Sequence, residues 1–83
     1  AENALAAYRA RQERLVRLMD QARESARAAT IARVRYREGL ADFLELLDAE
    51  RVQLDAEQNV AGAEAEVLTG AVAVYRALGG VTP

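Results

Sequence analysis

The only proline in this 83-residue chain is its last residue, Pro83. Proline ends helices more forcibly than any other residue, because its ring removes an N–H donor and clashes with the turn before it. Glycine is therefore the one strong breaker in the body of the chain. Gly39 stands near the midpoint and Gly79-Gly80 near the end. Lacking a Cβ, Gly39 can take the left-handed conformation that closes a helix. Asp42 then offers a side-chain oxygen to the unpaired N–H groups of a new helix, and Glu45 follows three residues later, the D-x-x-E form of a capping box. These signals predict an all-α chain, an antiparallel two-helix coiled-coil hairpin forming a single domain over 1–83. One helix is expected over about 2–38, a turn over about 39–41, a second helix over about 42–78 and a C-terminal tail at 79–83. The tip between Tyr36 and Glu45 is where function is expected.

Both helical stretches carry heptad spacing. In the first, steps of three and four give Leu5, Tyr8, Gln12, Leu15, Met19, Ala22, Ala26, Ala29, Arg33 and Tyr36, with polar breaks at Gln12 and Arg33. Leu18, Ile31 and Val34 fall off that seam and suggest a second contact face. The second stretch has two seams. One reads Leu44, Leu47, Arg51, Leu54, Gln58, Ala61, Ala65, Leu68, Val72 and Tyr75. Its neighbour reads Phe43, Leu46, Glu50, Gln53, Glu57, Val60, Glu64, Val67, Ala71, Val74 and Leu78, and is weaker in the middle. A helix with two apolar stripes packs against two neighbours, as in a barrel wall or a multi-helix bundle. Alanine at Ala22, Ala26, Ala29, Ala61 and Ala65 lets helix axes approach closely. Gly62 and Gly70 each cost about 1 kcal/mol in a helix interior and are candidates for close crossings. Two helices of about 55 Å enclose no core of their own. The chain is therefore expected to self-associate, or to be part of something larger; the opening Ala1-Glu2-Asn3-Ala4-Leu5, already in a helical pattern, favours the second.

Composition removes several function classes. There is no cysteine and no histidine, which takes away thiolate chemistry, the commonest metal ligand and the commonest general base. No nucleophile–base pair or phosphate loop is visible, so no catalytic, cofactor-binding or metal residues are assigned. A net charge of −2 argues against nucleic acid as a partner. No apolar run reaches the length of a membrane-spanning helix. Charge is divided unevenly. Residues 1–41 hold nine Arg against five Asp/Glu, a net +4, and residues 42–83 hold two Arg against eight Asp/Glu, a net −6.

Asp42, Glu45 and Asp48 are spaced by three along the start of the second helix, where carboxylates are favoured by the helix dipole. Asp48 lies too deep to cap. With Leu44 one turn before it, it could form an acidic and an apolar constriction if the helix lined a passage; the alternative is a solvated surface acid. Tyr8, Tyr36 and Tyr75 fall on heptad seams and read as packing residues.

The run Arg35-Tyr36-Arg37-Glu38-Gly39-Leu40-Ala41-Asp42-Phe43-Leu44-Glu45-Leu46-Leu47-Asp48-Ala49-Glu50-Arg51 resembles the repeat end of the outer-membrane efflux protein family, the TolC-like exit ducts. So does Val74-Tyr75-Arg76-Ala77-Leu78-Gly79-Gly80, and Glu2 to Tyr8 resembles the family's approach to this helix. Val81-Thr82-Pro83 departs from the Gly-Trp that many members carry there. The resemblance implies a fragment of a periplasmic α-helical barrel in a homotrimeric channel of a Gram-negative bacterium. That channel would be held in the outer membrane by a part absent from this chain. It would export small molecules with a periplasmic adaptor protein and an inner-membrane pump. It further implies gate residues at Leu44, Glu45 and Asp48, and an adaptor-docking turn at Tyr36, Glu38, Gly39 and Leu40. The rival reading is a self-associating hairpin serving as a structural or interaction module. A metal-binding or enzymatic bundle is disfavoured by the missing histidines.

Overall fold

The computed structural model describes residues 2–79; the tail from Gly80 to Pro83 lies outside the described residues. Two helices, α1 (Glu2–Arg37) and α2 (Phe43–Gly79), fold back on each other into a hairpin measuring 67 × 13 × 13 Å. The break falls at Gly39, which has φ +75°. Two hydrogen bonds close α1 around it: the Leu40 N–H donates to the Arg35 carbonyl at 2.7 Å and the Gly39 N–H to the Tyr36 carbonyl at 3.1 Å. That nested pair is a Schellman motif, with glycine in its left-handed position. The Arg35 guanidinium adds a bond to the Leu40 carbonyl at 3.0 Å. α2 is capped by Asp42, whose Oδ1 accepts from the Glu45 N–H at 2.9 Å and whose carbonyl accepts from Leu46 at 3.3 Å. Across the turn, the Tyr36 and Phe43 rings lie 5.9 Å apart at a tilt of 52°. Gly39→Val is expected to destabilise the hairpin by about 1 kcal/mol or more, since a β-branched residue resists positive φ. A urea melt followed by circular dichroism checks this; an unchanged midpoint would contradict the left-handed turn.

The seam that joins the helices is built mainly from small residues. On α1 the inward positions are Ala4, Tyr8, Arg11, Leu15, Leu18, Ala22, Ser25, Ala29 and Ala32. On α2 they are Leu46, Ala49, Gln53, Ala56, Val60, Ala63, Val67, Gly70, Val74 and Ala77. Ala29 and Ala63 are the buried apolar residues, at 0% and 1% exposure. This corrects the heptad reading. On α1 the shared positions are Tyr8, Leu15, Ala22 and Ala29, but the other half of the seam sits one residue earlier than expected. Leu18 is therefore in the seam and Ala26 stays half-buried at its edge, while Leu5, Gln12, Met19, Arg33 and Tyr36 are exposed. On α2 the weaker of the two predicted seams supplies Leu46, Gln53, Val60, Val67 and Val74, and the stronger one faces away from α1 altogether.

The two interior glycines also separate. A Cβ on Gly70 would meet the Arg11 guanidinium at 3.2 Å and the Tyr8 ring at 3.3 Å, so this position marks a close crossing. Arg11 lies across it and donates to the Glu66 carbonyl at 3.2 Å. Gly62 has nothing within 4 Å and is exposed, so no contact explains it. Ser25, the one buried polar residue among those described, satisfies its hydroxyl by donating to the Ala22 carbonyl at 2.8 Å.

Candidate functional surface

The tip and the first two turns of α2 hold every site residue the sequence singled out. Glu38 donates its N–H to the Val34 carbonyl, and its side chain is exposed, as are Tyr36 and Leu40. With the Schellman closure beneath it, the turn presents Tyr36, Leu40 and Phe43 as an exposed apolar end flanked by Arg35, Arg37, Glu38 and Asp42. A rigid turn lowers the entropy lost when such a surface is covered.

Just past the turn, Leu44 is 74% exposed, and Glu45 and Asp48 are exposed as well. Leu44 and Asp48 are one helical turn apart and both lie off the seam. Asp48 accepts from the Arg51 guanidinium at 3.3 Å along the helix surface. Both residues of that pair are mostly exposed, so it contributes little to stability. Among the described residues no three acidic side chains are grouped so as to hold a metal ion, which places Asp42, Glu45 and Asp48 as separate surface acids. No described helix is long and apolar enough to cross a membrane.

A larger feature continues from Leu44 along the whole of α2. Leu44, Leu47, Leu54, Leu68, Val72 and Tyr75 are all exposed, with Tyr75 at 79%. They follow the three-and-four spacing of a coiled-coil seam, broken by Arg51 and Gln58 and thinned by Ala61 and Ala65. At 100° per residue this stripe lies roughly 150° around the helix from the seam that meets α1. An exposed row of large apolar side chains at coiled-coil spacing, though interrupted, marks a contact surface. The acids flanking it form two rows at heptad spacing, Glu50, Glu57 and Glu64 on one edge and Asp48 and Asp55 on the other.

No family, curated protein or solved structure matches the chain. The surface is thus read from its own chemistry and from the motif resemblance at the tip.

Two ion pairs cross the hairpin among the described residues, Arg14–Glu66 at 2.5 Å and Arg33–Glu50 at 3.1 Å, and Arg33 also donates to Gln53 at 3.3 Å. The remaining pairs, Arg23–Asp20 and Arg51–Asp48, run along single helices. Most of the opposite charge carried by α1 and α2 is therefore displayed outward instead of being neutralised between them. Sequence reasoning did not single out Arg11. Its place in the seam follows only from its heptad step between Tyr8 and Leu15, which polarity obscured.

Proposed function

We propose that this chain is the tip hairpin of a periplasmic helical duct, within a trimeric outer-membrane channel that exports small molecules. The observation that carries the reading is the angle between the two contact faces of α2. A helix covering the outer stripe would sit nearly opposite α1. Neighbours in a four-helix bundle stand about 90° apart around each helix, so that spacing suits a continuous wall of helices better than a closed bundle. The apolar turn at Tyr36, Gly39 and Leu40, with Glu38 beside it, is then the surface that meets an adaptor coupled to an inner-membrane pump. Leu44, Glu45 and Asp48 follow immediately and narrow the entrance. Three copies around an axis would bring three Asp48 carboxylates together, a field that favours cations.

The test uses the full product of the gene that carries this segment. Expressed in a Gram-negative host, it is expected in the outer-membrane fraction as a trimer, with cysteines placed at the tip labelled from the periplasm. Recovery of a product lacking any outer-membrane part would overturn the reading in favour of the self-associating hairpin.

A further inference from the structure

The outer stripe of α2 needs an occupant, and the charge pattern identifies one. We propose that it seats on α1 of a second copy of this chain, so that copies associate head to tail. The contact meant is between Leu47–Tyr75 on one copy, with Leu44 at the end of the stripe left outside it, and the α1 face of the next that carries Val16, Met19 and Val34 among Arg9, Arg23 and Arg27. All three of those apolar residues are exposed in the hairpin. This inference does not depend on the duct reading.

Two observations favour α1 over the other available partner, a second α2. The first is charge. Pairing two α2 stripes antiparallel sets the Glu50–Glu57–Glu64 row beside the same row of the other copy, and pairing them parallel sets it beside Asp48 and Asp55. Either way acid meets acid, and like charges across an interface are repulsive. The α1 face instead offers Arg9, Arg23 and Arg27, which outnumber Glu13 and Asp20 on the same face, Asp20 being paired with Arg23. The second is that the hairpin leaves acids available: the cross-helix ion pairs among the described residues take only Glu50 and Glu66, and Asp48 pairs with Arg51, so Asp55, Glu57 and Glu64 face outward without an ion pair. Size sets the strength of the contact. Between Leu47 and Tyr75 the stripe is a strip about 42 Å long and about 10 Å wide. Both sides together come to about 850 Å², below the roughly 1,000 Å² of a stable specific interface, which fits an association that grows with concentration.

A contact between two different faces does not close at two copies; it continues into rings or open chains. The wild-type chain is therefore expected to sediment as species larger than a dimer, growing with concentration and shrinking as salt is raised. Two variants separate the faces. Leu54→Glu/Leu68→Glu blocks the stripe and leaves α1 intact. Arg9→Glu/Arg23→Glu/Arg27→Glu blocks α1 and leaves the stripe intact. All five positions are exposed, so both hairpins should keep their helical circular dichroism; the single changes Leu68→Glu and Arg23→Glu serve if either loses it. Each variant alone is expected to be monomeric, and an equimolar mixture to form a dimer and stop there. A monomeric wild type would overturn the proposal. So would self-association of the arginine variant alone, which would mean α2 pairs with α2, or a mixture that stays monomeric while both components are helical.

Discussion

Replacing Ala29 by leucine is expected to destabilise the hairpin by about 1–3 kcal/mol, the range for overpacking a filled site. Ala29 has no exposed surface, and Ala63 on the facing helix has 1%. Leucine at either position must push the helices apart or leave its preferred rotamers. Separation by even a fraction of an ångström is felt along the seam, because the contacts between these short side chains fall off steeply with distance. The control is Ala61→Leu, which makes the same chemical change at an exposed position of α2, the helix that carries Ala63. It should move stability by no more than about 0.5 kcal/mol. Urea melts of all three variants, run dilute enough to keep the chain monomeric, provide the comparison. Equal midpoints for Ala29→Leu and Ala61→Leu would mean that the seam does not run through Ala29 and Ala63. The effect is large relative to what a two-helix rod can hold in reserve, since so small a core leaves little net stability.

The same seam explains which parts of the fold were legible in the sequence. The turn was, because its causes are local. Gly39 at φ +75° and the Asp42 cap depend on a few adjacent residues, and both act where the D-x-x-E spacing put them. The register of packing was not. Spacing marks two seams on α2 without assigning either to α1, and the one richer in leucine, with Leu44, Leu47, Leu54 and Leu68, is exposed. Close approach of two long helices instead selects Ala49, Ala56, Ala63, Gly70 and Ala77, which a hydropathy scale ranks as weak. Arg11 was hidden for a related reason. Its charge disguises a seam position whose stem lies over Gly70 while its guanidinium reaches a helix carbonyl. The site residues at the tip came from motif resemblance. The hairpin places them together at one end and leaves Leu44, Glu45 and Asp48 exposed beyond the turn. What narrows around them depends on neighbouring chains.

A second large effect is expected at that entrance. Leu44 begins the outer stripe, and Asp48 stands one turn further on at its acidic edge. If copies surround a passage, truncating Leu44 removes an apolar ring and truncating Asp48 removes a ring of negative charge. Rings of carboxylates favour cations, and apolar constrictions restrict flow by dewetting. The two changes should therefore differ in kind: both widen the passage, but only the loss of the aspartate weakens cation preference. Neither side chain packs in the hairpin seam, so neither change is expected to disturb the fold.

The measurement that bears most directly on the account is single-channel conductance, in planar bilayers, of the full gene product that is proposed to form a trimeric channel, with Leu44→Ala and Asp48→Ala placed singly and together. The account predicts higher conductance for each single change and the largest increase for the pair, with reduced cation selectivity wherever Asp48 is replaced. A double variant that conducts like the parent, with the same selectivity, would contradict the placement of these residues at the gate.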